Sequence, residues 1–517
     1  MKSRIFFSIV IAFTFFGAVF SQDISVNEKE AAMLRMKTNL EYFASDELEG
    51  RETASEGIRK TAEHIADIFE ECGVKPFGDE GTYFQNFTLI GSRFDKESNI
   101  SVYDDKNNLL SKLMIGESII SMPNMLGDMG KMNTVFPLVF AGYGINAEEY
   151  QYSDYLDLDV KGKIVVAFMG EPYSENPEFF DAEKNTNFAG FRHKIEAAQQ
   201  HGAQGIILIP DEQYLQYWGF ISNMALNETL SRPNENDKPG TSLPAVMISI
   251  DGVSEIFNGE ESSFDELKSL IDEKDIPRGF NLKKSVSINL KVIEKEKTAR
   301  NVVGIIEGND PVLKNEYVTI GAHMDHVGVM NDEVFNGADD NASGTVAIVE
   351  TACRLAKKEN NKRSIIAILY TAEEKGLIGS QYFVENFENL DNIVANINLD
   401  MVGRGAADSI FCIGSDRVSS EFADLINEAN KRSVKFYLDY SLSNTRLFMQ
   451  SDHYSYAKQN IPVAFFFDNM SVDLHRPTDD FDKINYDKIY NTTLLVEEIV
   501  LMLANRNERP RINQTEE

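Results

Sequence analysis

The chain has 517 residues, a length that suggests two or three domains at about 150 residues per domain. Its 43% hydrophobic and 26% charged residues are typical of globular proteins and exclude a wholly disordered chain. The formal net charge of −32 argues against nucleic acid or an anionic membrane as the main partner, because both require a basic surface. Three cysteines, Cys72, Cys353 and Cys412, are too few for a disulfide framework, and each is interpreted as a buried apolar residue.

The N-terminus has the pattern of a secretory signal peptide, which we place at residues 1–21. Lys2 and Arg4 precede an apolar run over residues 5–20, and small residues follow at the usual cleavage spacing. The run is slightly short for a bilayer span, and an uncleaved anchor is the alternative. We therefore expect a secreted or periplasmic protein that has no stable membrane insertion after cleavage.

Residues 23–131 begin with two helical patterns and form the first part of a domain that is completed later in the chain. In the second pattern, Ile58, Ala62, Ile65 and Phe69 share one face, and Gly73 ends the helix. Residues 134–277 then read as an inserted β-rich domain, with short apolar strands predicted at 136–140, 163–169, 205–210 and 245–250. Residues 211–240 are predicted to form an extended loop or lid.

Strands and helices alternate over residues 297–505. The apolar runs 317–322, 365–371, 393–399, 410–414 and 462–467 predict strands, and helical patterns at 343–358 and 486–504 separate them. This alternation is typical of an α/β fold with a mostly parallel central sheet that is covered by helices on both faces. Residues 506–517 are predicted to be a frayed polar tail.

Metal-binding side chains follow several of these strands. In order along the chain they are His323, Asp325, His326, Asp339, Asp340, Glu373, Glu374, Asp400 and His475. Because ligands bind beyond the carboxyl ends of parallel strands, we expect these side chains to meet at one edge of the sheet. Imidazole nitrogens and carboxylate oxygens are suitable zinc ligands, and two histidines with three carboxylates could hold two Zn²⁺ ions. One further glutamate would remain as a base, and Asp325 could orient the imidazole of His323.

The motifs at 337–344, 373–380, 398–403 and 475–477 resemble those of the di-zinc exopeptidase family, which includes secreted bacterial aminopeptidases and glutamate carboxypeptidase II. Segments 141–144, 159–166 and 202–205 resemble a protease-associated domain, and 40–51 resembles the opening of bacterial members that carry this insert. The resemblance covers nearly the whole mature chain. It implies a zinc exopeptidase-like fold and a hydrolase that removes N-terminal residues from peptide substrates.

The resemblance also implies a role for each residue of the site. His323 and Asp400 would hold one zinc ion, Glu374 and His475 the other, and Asp340 would bridge the two ions. Glu373 would be the general base that takes a proton from a metal-bridged water. Asp325, which could orient His323, is predicted as the second catalytic residue. A cis peptide bond is often found in the family after the residue that corresponds to Asp340.

Some residues keep an alternative interpretation. Asp339 competes with Asp340 for the bridging role, and His326 is interpreted as a supporting or core residue. Leu474 stands where some relatives carry a tyrosine, so that another residue such as Tyr440 or Tyr454 would have to replace it. Asp452 and His453 could line the substrate pocket or could be buried structural residues.

Three rival functions remain at this point. A carboxypeptidase or dipeptidase of the same family would need a cation for the substrate carboxylate, and Arg404, Arg446 and Arg476 lie near the motifs. A glutaminyl cyclase uses a related fold with one zinc ion, although the protease-associated insert argues against it. A binding module without catalysis is disfavoured, because the set of ligand and base residues is complete.

Overall fold

The computed structural model describes residues 28–121, 123, 134–174, 176, 179–180, 184–233, 243–468 and 470–513. The predicted signal peptide, residues 1–21, lies outside these residues. The described chain divides into two compact units. Unit 1 comprises the described residues of 1–88 and 297–517, and unit 2 comprises those of 89–296. The predicted insert at 134–277 lies within unit 2, which begins earlier in the chain.

The helices of the described residues are, in chain order, α1 (28–43), α2 (Glu56–Cys72), α3 (Phe191–Gln200), α4 (Glu212–Gln216), α5 (Trp218–Met224), α6 (Ile250–Phe257), α7 (Phe264–Asp272), α8 (Gly344–Lys358), α9 (Ile378–Asn386), α10 (Ser420–Arg432), α11 (His453–Ala457) and α12 (Tyr486–Asn505). Both predicted N-terminal helices are present. As predicted, α2 ends at Gly73, which adopts a left-handed conformation with φ of 86°. Within the described residues, no helix combines the length and the apolar character needed to cross a bilayer.

The strands are, in chain order, β1 (Lys75–Pro76), β2 (Phe84–Phe94), β3 (Asn99–Tyr103), β4 (Leu109–Met114), β5 (Ile119–Ile120), β6 (Val135–Phe140), β7 (Asn146–Ala147), β8 (Tyr152–Ser153), β9 (Ile164–Phe168), β10 (Gly205–Ile209), β11 (Thr229–Ser231), β12 (Ala245–Ile248), β13 (Phe280–Asn289), β14 (Val292–Ile306), β15 (Tyr317–His323), β16 (Gly328–Met330), β17 (Glu333–Phe335), β18 (Ser364–Tyr370), β19 (Ile393–Leu399), β20 (Ser409–Ile413), β21 (Tyr437–Asp439) and β22 (Val463–Phe467). The predicted strands are all present, within one or two residues at each end.

The main sheet of unit 1 has the strand order β14-β18-β15-β19-β22-β20-β21. The four strands β18, β15, β19 and β22 run parallel to one another. On either side of them, β14 pairs with β18 and β20 pairs with β22 in antiparallel orientation. The sheet is therefore mixed, and the expected mostly parallel sheet is limited to its centre. The difference arises because the sequence pattern identifies apolar strands but does not give the direction of those at the flanks.

Helices cover both faces of this sheet, as the fold class requires. In β18, Ile365, Ala367 and Leu369 belong to one core cluster, to which α1, α2, α8, α10 and α12 contribute. The alternate residues Ile366 and Ile368 belong to a second cluster on the other face, with side chains of α9 and α11. Successive side chains of the strand point to opposite faces of the sheet. Both faces are buried, and the central residues of the strand are accordingly all apolar.

Unit 2 is built around an eight-stranded sheet with the order β4-β3-β13-β6-β9-β10-β12-β5. Strands β6, β9, β10 and β12 are parallel, whereas the remaining pairs are antiparallel. Helix α3 packs on one face, and α6 and α7 pack on the other. Residues 211–240 were predicted as a loop or lid, but their described part contains α4, α5 and β11. Residues 234–240 of that segment lie outside the described residues.

A disulfide bond joins Cys72 at the end of α2 to Cys353 in α8. The two Cα atoms lie 5.3 Å apart although the residues are 281 positions apart in the chain. The interpretation of these cysteines as separate apolar residues was therefore wrong, because only the packing of α2 on α8 brings them together. Cys412 is buried in β20 and is a free thiol, in agreement with its interpretation.

The expected fraying of the C-terminal tail is also wrong for its described part. Arg506 forms an ion pair with Glu421, and Arg509 donates a 2.9 Å hydrogen bond to Glu316. The backbone N–H of Asn513 donates to the carbonyl of Val418 over 2.8 Å. Polar residues predict an exposed segment, but here their partners on α10 and near β15 hold the segment against unit 1.

Candidate metal centre

The carboxyl ends of the four parallel strands bring the predicted ligands together. His323 is the last residue of β15, and Asp400 directly follows β19. Glu373 and Glu374 lie three and four residues after the end of β18. His475 reaches the same edge from the loop after β22. Each of these side chains lies in unit 1, where the register of the parallel strands fixes the positions of their ends.

The first cluster of possible ligands is formed by His323, Asp340 and Asp400. The Nε2 atom of His323 lies 3.4 Å from Oδ1 of Asp340 and 3.3 Å from Oδ1 of Asp400. The other oxygen of Asp400 accepts a 2.8 Å hydrogen bond from Ser451, which keeps Oδ1 directed into the cluster. All three ligand residues are buried.

The second cluster is formed by Asp340, Glu374, His475 and His326. The Nε2 atom of His475 lies 3.2 Å from Oδ2 of Asp340 and 3.2 Å from Oε2 of Glu374. Asp340 thus presents one oxygen to each cluster, as a bridging carboxylate must. His326, which was interpreted as a supporting or core residue, is fully buried and contacts Glu374.

These distances fit a pair of tetrahedral ions. Two ligand atoms bound to one ion at 2.0–2.2 Å lie about 3.3–3.5 Å apart. The four contacts that His323 and His475 make with Asp340, Asp400 and Glu374 lie between 3.2 and 3.4 Å. The donors are imidazole nitrogens and carboxylate oxygens, which zinc prefers. The residues that are present therefore fit two zinc ions that share Asp340.

The loop that carries Asp340 is held in place at both sides. The peptide bond between Asp340 and Asn341 is cis. The side-chain amide of Asn341 donates to the carbonyl of Leu399, and its oxygen accepts a hydrogen bond from the N–H of Met401. These contacts link the loop to the segment around Asp400, so that Asp340 and Asp400 of the first cluster share one framework.

Asp339 has a different environment from Asp340. Its Oδ1 accepts hydrogen bonds from the N–H of Gly403 and the hydroxyl of Ser343, at 2.8 and 3.2 Å. It belongs to neither of the two clusters of possible ligands that the described residues form. The geometry therefore favours Asp340 over Asp339 as the shared ligand, a choice between neighbours that the sequence left open.

Asp479 and Arg51 support this loop, and neither role was predicted from the sequence. The carboxylate of Asp479 accepts hydrogen bonds from the N–H groups of Asp339 and Asp340 at 3.0 and 3.1 Å. The buried guanidinium of Arg51 donates to the carbonyls of Phe43, Met324, Asn336 and Gly337. Arg51 ends the segment 40–51 that carried one of the family resemblances, and this was the available signal.

Asp325 supports His323 through its backbone. The Nδ1 atom of His323 lies 3.1 Å from the carbonyl oxygen of Asp325 but 3.9 Å from its carboxylate. That carboxylate instead accepts hydrogen bonds from the hydroxyl of Thr53 and from the N–H of Glu373, at 2.8 and 3.2 Å. Asp325 therefore connects the ligand His323 with the backbone of the proposed base.

The charges of the site reinforce the need for a cation. Burial, together with the neighbouring charges of Glu374 and Asp400, raises the pKa of Glu373 well above its usual value. Hydrogen bonds with Asp340 and Glu374 raise the pKa of His475 to about 10. Several buried carboxylates thus converge with few cationic partners, and bound metal ions would offset their charge.

A cavity of about 400 Å³ opens directly onto the two clusters. Its polar walls include the ligands His323, Asp340, Glu374, Asp400 and His475, together with Glu373. Most of the other lining residues are apolar and together are called the apolar wall: Met401, Leu447, Met449, Phe465, Phe467, Met470 and Leu474. Within the described part of the chain, no lysine, arginine or tyrosine lines this cavity.

Other residues named from the sequence lie elsewhere. Neither Tyr440 nor Tyr454 is among the described residues that line the cavity. The hydroxyl of Tyr440 instead donates to Asn427. His453 is fully buried and stacks on Phe465 at a ring distance of 4.6 Å.

The three arginines considered for a substrate carboxylate are likewise outside the cavity lining. Arg404 donates a 2.6 Å hydrogen bond to Asp479 and lies 3.7 Å from Asp473. Arg446 and Arg476 are exposed. Among the described residues, carboxylates but no guanidinium line the cavity.

Comparison with known proteins agrees with this geometry. Residues 301–500 match the model of peptidase family M28, and residues 134–256 match the PA domain. The residues that match the M28 model include His323, Asp340, Glu373, Glu374, Asp400 and His475, and those that match the PA model lie within unit 2. The resemblance that the motifs indicated is thereby confirmed.

Several curated proteins are similar to the chain. A glutamate carboxypeptidase 2 homolog of Caenorhabditis elegans is 24% identical over 442 residues, which are 74% of this chain and 53% of that protein. Leucine aminopeptidase 1 of Sclerotinia sclerotiorum is 31% identical over 214 residues, which are 38% of this chain and 54% of that protein. The chain thus spans about half the length of the curated relatives that it matches.

Solved structures share the fold. An aminopeptidase from Aneurinibacillus sp. strain AM-1 has a TM-score of 0.57 at 20% identity, with 93% of this chain and 96% of that chain covered. A zinc aminopeptidase from Bacillus subtilis has a TM-score of 0.54 at 19% identity, with 92% and 96% covered. At these identities the two structures support the fold of the M28 and PA regions together.

Proposed function

We propose that the protein is a secreted zinc aminopeptidase that removes apolar N-terminal residues from peptides. The observation that carries this proposal is the cavity at the metal centre, which is lined by carboxylates and by an apolar wall and has no lysine or arginine among its described lining residues. A peptide N-terminus offers a positive α-amine beside its first side chain. The carboxylates suit the α-amine, and the apolar wall suits the first side chain.

Two zinc ions would be held by the two clusters. His323 and Asp400 would bind one ion, Glu374 and His475 the other, and Asp340 would contribute one oxygen to each. When bound, zinc acts as a Lewis acid that acidifies a water molecule and polarises the scissile carbonyl. The relatives named as a zinc aminopeptidase and as leucine aminopeptidases support this assignment.

Glu373 is suited to carry the proton through the reaction. It lines the cavity and belongs to neither cluster, so that its carboxylate remains free of a ligand role. Its backbone N–H is fixed by Asp325. We expect the carboxylate of Glu373 to take a proton from the attacking water as the new C–O bond forms. The protonated Glu373 then donates that proton to the leaving amine nitrogen as the peptide bond breaks.

The apolar wall sets the expected preference for the first side chain. Leu447, Phe465, Phe467 and Leu474 provide the hydrophobic surface that a leucine, methionine or phenylalanine side chain would bury. Each methylene that is buried contributes about 0.8 kcal/mol. A charged side chain would lose its hydration on this wall without finding a partner, and we expect such substrates to be poor.

Secretion is part of the same proposal. The signal-like pattern of residues 1–21 supports export, and so does the Cys72–Cys353 disulfide, because such bonds persist in oxidising compartments. Expression of the full chain with a C-terminal tag, followed by mass determination of the processed protein, tests this point. Accumulation of an unprocessed cytosolic form would contradict it.

The activity is tested with purified mature protein and matched pairs of peptides. Each pair has the same sequence with a free or an acetylated α-amine, and the first residue is leucine, phenylalanine, lysine or glutamate. Metal content is measured in parallel, and Glu373→Gln protein that is purified in the same way controls for contaminating peptidases. We expect cleavage of the free-amine peptides that begin with leucine or phenylalanine.

Other outcomes would assign another function. Cleavage of blocked peptides from the carboxyl end would indicate a carboxypeptidase, and cleavage limited to free dipeptides would indicate a dipeptidase. Release of ammonia from an N-terminal glutamine would indicate a cyclase. Full metal loading without any of these reactions would indicate a binding module.

A further inference from the structure

His326 is a buried histidine at the second cluster, and the predicted ligand set does not use it. Its Nδ1 atom lies 2.9 Å from Oε1 of Glu374 and 3.6 Å from Oδ2 of Asp340. Its ring lies 5.5 Å from that of His475 in an edge-to-face arrangement. The side chain is therefore either an additional metal ligand or a residue that positions a ligand.

The ring of His326 is fixed by its surroundings. Its backbone N–H donates to the carbonyl of Arg51 over 3.2 Å, and the ring packs against Gly337. A Cβ atom at Gly337, where φ is 56°, would lie 2.5 Å from Cγ and Cδ2 of the ring. Only glycine at position 337 leaves enough space for the ring of His326. The packing therefore fixes the ring with Nδ1 directed towards Glu374.

The contact distance distinguishes between the two roles. Ligand atoms around one tetrahedral zinc ion lie about 3.3–3.5 Å apart, and the contacts of His323 and His475 are close to this value. The 2.9 Å contact between His326 and Glu374 is shorter and has the usual length of an N–H···O hydrogen bond. The distance therefore favours a hydrogen bond over a shared ion.

The environment of the second ring nitrogen, Nε2, also favours a hydrogen bond of His326 over metal binding. A histidine that binds a metal through one nitrogen almost always donates the N–H of the other. The two nitrogens of His323 follow this rule, because Nε2 faces the cluster and Nδ1 lies 3.1 Å from the carbonyl of Asp325. The Nε2 atom of His326 is buried and has no hydrogen-bond partner among the described residues. In the tautomer that carries its proton on Nδ1, the one N–H of the ring donates to Glu374.

We propose that His326 is a positioning residue of the second metal position. Its Nδ1–H holds Oε1 of Glu374, so that Oε2 alone is presented to the ion beside His475. Glu374 then binds through one oxygen, and a place at the ion remains open for water or substrate. This inference rests on the proposed zinc site, but it concerns metal binding and does not require that the protein cleaves peptides.

The test compares wild type with His326→Ala, which removes the donor, and His326→Asn, whose side-chain N–H₂ can take the place of Nδ1–H. Zinc affinity is measured by competition with a chromophoric chelator. X-ray absorption at the zinc edge gives the number of imidazoles per ion. An exposed histidine of unit 2, replaced in His193→Ala, serves as the matched control.

We expect His326→Ala to weaken the binding of one of the two ions by about 10- to 100-fold. We expect His326→Asn to restore most of that loss and His193→Ala to behave as wild type. The average should be one imidazole per zinc in wild type and in both variants at position 326, because only His323 and His475 are ligands.

Two results would overturn the proposal. An average of 1.5 imidazoles per zinc in wild type, falling to one in His326→Ala, would make His326 a ligand. Unchanged affinity for both ions in His326→Ala would show that the ring of His326 contributes only to packing. Two bound ions with the expected affinities but no hydrolysis would instead contradict the proposed function and leave this inference intact.

Discussion

The guanidinium of Arg51 donates a 2.9 Å hydrogen bond to the carbonyl of Gly337, 286 residues further along the chain. Gly337 begins the loop that carries Asp340. The same guanidinium also binds the carbonyl of Met324, next to His323. A residue far from the metal motifs in sequence thus holds together two of the three segments that supply the first cluster.

We expect Arg51→Lys to destabilise the protein by about 3 kcal/mol and to weaken metal retention, because a single ammonium cannot satisfy four buried carbonyls. Thermal unfolding of the metal-loaded and metal-free forms measures both effects. The exposed Arg59, which pairs with Glu56 and Glu63 within α2, provides the control, and Arg59→Lys should change stability by less than about 0.5 kcal/mol. Equal effects of the two substitutions would contradict this role of Arg51.

Glu373→Gln should abolish most turnover without loss of metal. A general base contributes about 100- to 10,000-fold, and Glu373 belongs to neither ligand cluster. Steady-state kinetics and metal analysis of the same preparation test both parts. Glu374→Gln is the comparison, since it should lose activity together with metal at one position. Near-normal kcat in Glu373→Gln would refute the assignment of the base.

The disulfide between Cys72 and Cys353 should stabilise unit 1. Replacement of both cysteines by alanine is expected to lower the free energy of unfolding by about 2–4 kcal/mol, since the bond closes a loop of 281 residues in the unfolded chain. Denaturant unfolding with and without a reducing agent gives this value. Cys412→Ala should keep the full response to the reductant, whereas the double variant should lose it. A wild type that is insensitive to the reductant would argue against a structural role for the bond.

His453 should make unit 1 sensitive to acid. Burial lowers its pKa to about 3 in the folded protein, so that the unfolded chain binds a proton near pH 6.5 and the folded chain does not. The stability that results is fully present above pH 6.5 and is lost as the pH falls towards 3. At pH 5 the loss is about 2 kcal/mol.

The measurement is the free energy of unfolding of wild type and His453→Phe at pH 7.5 and pH 5. Wild type should lose about 2 kcal/mol more than the variant between these two conditions. His453→Gln is also uncharged and should show the same reduced dependence on pH, although its packing against Phe465 differs. Parallel losses in all three proteins would show that His453 does not titrate on unfolding.

The sequence by itself predicted the strands at the centre of the main sheet and named the residues that form the two clusters of possible ligands. Buried parallel strands appear in the sequence as continuous apolar runs. Only a few polar residues directly follow the ends of these runs. His323, Glu374, Asp400 and His475 stand out for this reason, and the structure brings them to one sheet edge as expected. The adjacent motifs then indicated the family.

Only the tertiary structure decided the contacts that depend on direction and on long-range packing. Asp339 and Asp340 are neighbours of identical chemistry, and the conformation of their loop determines which one faces the clusters. The pairing of Cys72 with Cys353 requires α2 to lie on α8. The roles of Arg51 and His326 depend on hydrogen bonds between segments that are remote in sequence. The local sequence pattern predicts which residues are buried and which form helices or strands. The hydrogen-bond partner of a buried polar atom is fixed only when the whole chain is packed.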